Sequence, residues 1–134
     1  MRLILFVVGL IPPALLKQWV RWRFKTVPQQ TPLWVARALI SEPVLLLDVR
    51  SPYEFAAAHL ATAINVNHDL TAQQLIQQFR ANAPDGQVVA YCTVGHRSCQ
   101  FAERMASMGC SDVKNLEGGI WAWTAAGLAT TNTR

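Results

Sequence analysis

Gln87-Val-Val-Ala-Tyr91 runs directly into Cys92-Thr-Val-Gly-His-Arg97-Ser98, and this stretch decides the fold. Gln87 to Tyr91 has the length and make-up of a strand. Gly95 supplies a turn, and Arg97 to Met108 is then helical until Gly109 stops it. A strand that passes through a tight glycine loop into a helix belongs to an α/β unit. In open α/β sheets ligands bind at the carboxyl ends of strands, so residues 92–98 are where chemistry is expected.

The same alternation extends in both directions. Phe24 to Val27 is a short strand candidate, and Thr31-Pro32 is a cap with a first-turn proline that opens a helix through Leu39. Val44 to Asp48 is a continuous apolar run of strand length, suited to a sheet covered on both faces. Ser51-Pro-Tyr-Glu54 is a capping box and starts a short helix. Ala63 to Val66 reads as a third strand, and Thr71-Ala-Gln-Gln74 as another capping box for a helix to about Arg80. Pro84-Asp85-Gly86 marks a turn. Beyond the central loop, Asp112 to Leu116 is a fifth strand and Ile120 to Ala126 a last helix. The expectation is an α/β fold, a five-stranded mostly parallel sheet with helices on both faces.

Successive backbone N–H groups in the 92–98 loop can form an anion nest, reinforced by the positive end of the following helix. Arg97 adds a full charge. Cys92 held there is a plausible nucleophile, and Thr93, Val94, Gly95, His96, Arg97 and Ser98 form the candidate anion-binding loop. A buried cysteine before an ordinary turn is the bland alternative. His96 reads as an exposed loop residue, Cys99 as a core thiol by its helical spacing, and Cys110 as packing at the start of a strand. Cys92, His96 and Cys99 lack the paired spacing of a metal site, so no metal is expected. Asp48 and Arg50 sit at a strand end on the same rim, where a structural ion pair is the simplest reading of Arg50. Glu117-Gly-Gly119 is a tight, architectural turn. Trp121 and Trp123 are two apart in a helix, so one packs and the other lines the surface.

These segments, in this order, resemble a single-domain rhodanese, a sulfurtransferase, over about residues 24–130. Leu46-Leu-Asp48-Val-Arg50 with Glu54-Phe55 is similar to the family's first signature, and His59-Leu60 with Ala63-Ile-Asn-Val66 to its second. Cys92-Thr-Val-Gly95-His-Arg97-Ser98 resembles the active loop, and Asn115-Leu-Glu117-Gly-Gly119-Ile120 with Trp123 and Gly127 the closing signature. Ala61-Thr62 stand where the family usually has Pro-Gly, which points to a turn of different shape. The resemblance implies that Cys92 takes a sulfane sulfur from a small anionic donor such as thiosulfate, holds it as a persulfide, and passes it to cyanide, a thiol or a protein. It implies that Arg97 attracts the donor, that Asp48 accepts hydrogen bonds from neighbouring loops, and that no cofactor is needed. Only four residues separate Cys92 from Arg97, which disfavours a phosphatase or arsenate reductase. The loop also differs from that of mercaptopyruvate-using relatives. A non-catalytic interaction or sensing module and a persulfide carrier between proteins are the competing readings.

The chain has 134 residues and a net charge of +4, with 51% hydrophobic and 15% charged residues, which excludes a disordered chain. Three cysteines make a disulfide scaffold unlikely. The charge is uneven: residues 1–30 carry Arg2, Lys17, Arg21, Arg23 and Lys25 and no acid, leaving seven Lys/Arg against eight Asp/Glu beyond. Basicity confined to one end argues against nucleic acid as a partner. Leu3 to Leu16 contains no polar residue. Residues 1–23 are expected as an apolar helix with a basic collar, a membrane-anchoring or interfacial segment that associates with a membrane through residues 3–16. The competing readings are a cleaved signal peptide, for which no small-x-small site precedes Lys17, and a soluble packed or self-associating helix, which Pro12-Pro13 would break or kink. The rhodanese-like domain spans 24–130 and a tail 131–134. The stretch is short for a span, at roughly 21 Å against about 30 Å of hydrocarbon. The collar would put the body on the cytoplasmic face, and a reducing compartment suits unpaired thiols. The oligomeric state is open.

Overall fold

In a computed structural model, residues 11–133 are described. Helix α1 (Pro13–Arg23) leads to strand β1 (Gln29–Gln30), α2 (Pro32–Ser41), β2 (Val44–Asp48), α3 (Pro52–Ala57), β3 (Ile64–Asn65), α4 (Asp69–Asn82), β4 (Gln87–Tyr91), α5 (His96–Ser107), β5 (Val113–Leu116) and α6 (Gly119–Ala125). The five strands form one sheet in the order β1-β5-β4-β2-β3, and every pairing is parallel.

The apolar run Val44–Leu47 packs on both faces because successive side chains of a strand point in opposite directions. Leu45, Leu47, Val88 and Ala90 join Ile76 of α4 with Phe101 and Met105 of α5 on one side. Leu46, Val89 and Tyr91 join Val35 of α2 with Ile120 and Trp123 of α6 on the other. Leu46 and Leu47 are 1% and 0% exposed, and burial of each contributes roughly 1.5–3 kcal/mol. From β2 the chain moves outward to β3, whereas from β4 it moves the opposite way to β5. The carboxyl ends of β2 and β4 therefore meet at the switch point of the sheet, where a crevice forms.

Several boundaries differ from the sequence reading. Phe24–Val27 is a turn: Phe24 N–H bonds Val20 O, Val27 N–H bonds Phe24 O at 2.9 Å, and both side chains are buried. The edge strand instead forms at Gln29–Gln30, paired with Asn115 and Leu116. Helix α4 starts two residues before Thr71, with Asp69 in its first turn, where a carboxylate complements the helix dipole. Cys110 precedes β5 by three residues; its N–H closes the α5 terminus on Met105 O at 2.8 Å and its side chain is buried. Asp112 adopts φ 58°, so β5 begins only at Val113.

The expected apolar helix requires the largest correction. Its first ten residues lie outside those described. From Pro13 onward the segment is a helix of the protein body, with Pro12 as its cap and Pro13 at its first turn, so the proline pair starts a helix where a break was expected. Val20 is 3% exposed in the core, and Arg21 grips Glu117. Among the described residues no helix is long and apolar enough to cross a membrane.

The Ala61-Thr62 departure has a structural counterpart: Thr62 adopts φ 71°, a left-handed conformation that costs a β-branched residue roughly 1–2 kcal/mol. At the end of β2, Arg50 Nη2 lies 2.7 Å from Asp48 Oδ2, with the two side chains 6% and 0% exposed. Arg50 also bonds the Ala58 carbonyl and so ties the loop after β2 to the end of α3. Thr62→Gly is expected to stabilise the fold by about 0.5–1 kcal/mol, after allowance for the greater freedom of glycine in the unfolded chain. Arg50→Ala is expected to destabilise it by about 3–5 kcal/mol by leaving Asp48 buried and unpaired. Urea denaturation checks both.

Candidate active site

Cys92 follows β4 directly and is 1% exposed. Two features of the sequence bend the chain around its sulfur. Gly95 sits at φ 106°, a left-handed value few other residues tolerate, and turns its N–H onto Cys92 Sγ at 3.1 Å. Gly119 brings the start of α6 against the loop, where a Cβ would lie 2.3 Å from Thr93 O. In that space Ile120 N–H bonds Cys92 O at 2.9 Å and Trp121 N–H bonds Thr93 O at 3.2 Å. The first-turn donors of α6, which have no partner inside their own helix, thus fix the loop.

The charges at the mouth are paired. Arg97 Nη1 and Nη2 lie 3.1 and 3.2 Å from the two Glu54 carboxylate oxygens, and Nη2 also donates to Thr93 Oγ1 at 2.9 Å. Glu54 completes the expected capping box with Ser51. The Arg97 hydrogen bond, followed by that of the Ser51 backbone, holds the Glu54 carboxyl down at about 2 against the opposing effect of burial. Glu54 in turn raises the Arg97 guanidinium, chiefly through that hydrogen bond. Arg97 is therefore a shared cation, where the sequence suggested a free one.

His96 also departs from expectation. It is the first residue of α5, stacked on Trp19 at a centroid separation of 5.6 Å and set edge-on to Phe24 at 5.3 Å. Burial, helped by Arg23, lowers its pKa, so the ring is neutral near pH 7 and acts as a wedge between α1 and the loop. Arg21 clamps Glu117 through bonds of 2.6 and 2.8 Å. Helix α1 thereby supplies one wall of the site, which a reading of its apolarity missed.

Behind the sulfur is a buried polar chain. Ser98 Oγ is 3.4 Å from Cys92 Sγ and bonds Asn115 Oδ1; Asn115 Nδ2 donates to Gln29 Oε1 at 2.7 Å; and Gln29 Nε2 donates to Cys99 Sγ at 3.3 Å. Cys99 is a core thiol as expected, raised to about 12 chiefly by burial. The structure brings Cys92 together with Thr93, Gly95, Arg97 and Ser98, while Val94 contributes to the partly buried loop surface. Asp48 and Arg50 form the structural pair at the neighbouring strand end, and Tyr91, whose hydroxyl accepts from Leu60 N–H, is held high by burial and then by Asp48. Trp123 packs and Trp121 is exposed. Glu54, Gln29 and Asn115 were not among the expected site residues; Glu54 was read only as part of the Ser51 capping box, and Asn115 lay in a quoted motif with no side-chain role attached.

The model of the rhodanese-like domain matches residues 31–126. Among curated proteins, the uncharacterized protein slr1261 of Synechocystis sp. is 33% identical over 93 residues, covering 69% of this chain and 50% of that protein. A tRNA uridine(34) hydroxylase of Staphylococcus aureus is 32% identical over 100 residues, covering 73% of this chain and 31% of that protein. The chain spans half or less of the length of these relatives. A thiosulfate sulfurtransferase from Pseudomonas aeruginosa superposes with a TM-score of 0.66 at 23% identity, over 79% of this chain and 19% of that one. A rhodanese-like domain protein from Staphylococcus aureus gives 0.57 at 26% identity, over 72% and 91%. With the parallel sheet, the cysteine loop after β4 and a family match over most of its length, the chain belongs to the rhodanese-like domain family.

Proposed function

We propose that the chain is a sulfurtransferase that moves a sulfane sulfur through a persulfide on Cys92. The observation that carries this reading is the Gly95 N–H directed onto Cys92 Sγ within a loop closed by Arg97. A preorganised donor stabilises charge on that sulfur without reorganising when the charge develops.

In the first half-reaction the Cys92 thiolate attacks the outer sulfur of thiosulfate or a similar small anionic donor. A Cys92 Sγ–S bond forms as the donor's S–S bond breaks, and the electron pair leaves with sulfite. In the second, an acceptor nucleophile (cyanide, a thiol or a protein thiol) attacks the outer persulfide sulfur. The pair of the broken S–S bond returns to Cys92 as thiolate. The balance closes without metal, organic cofactor or external oxidant. Gly95 N–H and Ser98 Oγ face the sulfur, and in this reading Arg97 orients the anionic part of the donor. The Glu54–Arg97 pair favours a second form of the reading, in which a protein persulfide is the physiological donor, since Glu54 offsets much of the charge that would hold a free dianion. The tRNA chemistry in the name of the hydroxylase relatives is not carried over, because the match covers 31% of that chain.

Reduced protein should convert thiosulfate and cyanide to thiocyanate, and Cys92→Ala should abolish the conversion; no thiocyanate from the reduced wild type overturns the thiosulfate reading. Glu54→Gln should release Arg97 and lower KM for thiosulfate about fivefold, corresponding to roughly 1 kcal/mol, with kcat little changed and the effect shrinking in salt. The same variant has a pH signature. A carboxylate held low stabilises the fold above its unfolded value of about 4.3, and that contribution is lost as pH falls toward about 2. The stability advantage of wild type over Glu54→Gln should therefore be present near pH 5 and vanish across that interval in acid denaturation.

A further inference from the structure

The buried chain behind Cys92 contains one more group wanting a proton than Ser98 can serve. The Ser98 hydroxyl has a single hydrogen and two acceptors within reach, Asn115 Oδ1 and Cys92 Sγ. Ser98 and Asn115 are both 0% exposed, so exchange with bulk water does not relieve the competition. Asn115 Oδ1 bears no hydrogen, so the Ser98–Asn115 contact requires the serine to donate. The orientation of Asn115 is fixed from behind, because its Nδ2 donates to Gln29 Oε1 while Gln29 Nε2 donates to Cys99 Sγ. With its hydrogen committed to Asn115, Ser98 presents only lone pairs to Cys92, and the 3.4 Å contact is favourable only when the sulfur carries the proton.

We propose that Asn115 is a positioning residue that holds the Ser98 hydrogen away from Cys92, so that the sulfur meets the Gly95 N–H as donor and Ser98 adds none. Charge on the sulfur gains a second donor beside the Gly95 N–H when Asn115 turns over. Its Nδ2 then faces Ser98 Oγ, and the serine hydrogen is free to point at Cys92. That turn moves Asn115 Oδ1 toward Gln29, whose amide must turn as well so that its Nε2 supplies the donor. Gln29 Oε1 then faces Cys99, which keeps its own proton and can give it. Every group in the chain is satisfied in both directions, so the relay has two states that differ in the charge they favour at Cys92.

The inference rests on Cys92 being the reacting sulfur and not on the identity of the donor. The other ionisable groups around the loop are Arg97, His96 and Cys99 on α5, Glu54 on α3 acting through Arg97, and Glu117 with Arg21 across the neighbouring turn. Of these only Cys99 touches the relay, through Gln29, so a change in thiolate content that disappears in the Cys92→Ala counterpart reports the relay at Cys92.

The test is thiolate absorbance in the ultraviolet at pH 7, each variant read against its Cys92→Ala counterpart, together with the rate of Cys92 alkylation by iodoacetamide followed by peptide mass. Asn115→Ala frees the serine hydrogen and is expected to raise both readings roughly fivefold, the effect of one donor to an ionised sulfur. Ser98→Ala is expected to leave both within about twofold of wild type, and Ser98→Ala with Asn115→Ala to lose the gain of Asn115→Ala. Gln29→Ala, at a partly exposed strand edge, unlocks Asn115 without deleting it. It should give a smaller rise that Ser98→Ala also cancels, and it carries the test if Asn115→Ala does not fold. A marked fall in Ser98→Ala, no rise in the folded Asn115→Ala or Gln29→Ala proteins, or a rise that persists without Ser98 would overturn the proposal. These readings need no sulfur donor, so a protein inactive toward thiosulfate could still show them.

Discussion

The missing Cβ of Gly119 is the constraint on which the site depends. Only glycine lets the first turn of α6 approach so closely that its N–H groups reach the carbonyls of Cys92 and Thr93. Those two bonds occupy the carbonyls of the chain leaving β4 and fix the loop from outside. The amide of Gly95 is then free to point inward at the sulfur, and α5 begins at the next residue. A larger residue at 119 would part the two helices and release the loop, although it lies far from Cys92 in sequence. The chemistry of the cysteine is in this sense a consequence of helix–strand packing.

A second layer holds this arrangement from the amino-terminal side. Arg21 on Glu117 and Trp19 on His96 attach α1 to both halves of the site, the turn before α6 and the start of α5. The Arg21 side chain is 59% exposed while that of Glu117 is 8% exposed, so the bridge matters more for satisfying a buried carboxylate than as a surface ion pair. Asp48 and Arg50 do the equivalent work at the adjoining strand end, where burial is nearly complete for both partners.

The sheet was legible because its signals are local. An apolar run at 44–48, caps at Thr31 and Ser51, and a glycine stop after Met108 each follow from short-range periodicity and turn chemistry. The cysteine loop was legible for the same reason. What escaped was set by contacts distant in sequence. Phe24 and Val27 have strand-like composition, yet the core takes both into a turn. Leu3–Leu16 is uniformly apolar, yet from Pro13 onward it belongs to a helix that Arg21 and Trp19 attach to Glu117 and His96. Glu54 reads as a helix cap, and it is one; nothing nearby in sequence reveals that the same carboxylate also holds Arg97. Asn115 and Gln29 look like ordinary strand residues until β1 is placed beside β5.

On the proposed reading Cys92 Sγ is the atom that carries the transferred sulfur, and the most direct measurement is the mass of the protein itself. Reduced protein incubated with thiosulfate and freed of excess reagent should gain one sulfur atom, located on Cys92 by peptide mapping and removed by cyanide. A protein that gains no sulfur, or gains it on Cys99 or Cys110, would contradict the account.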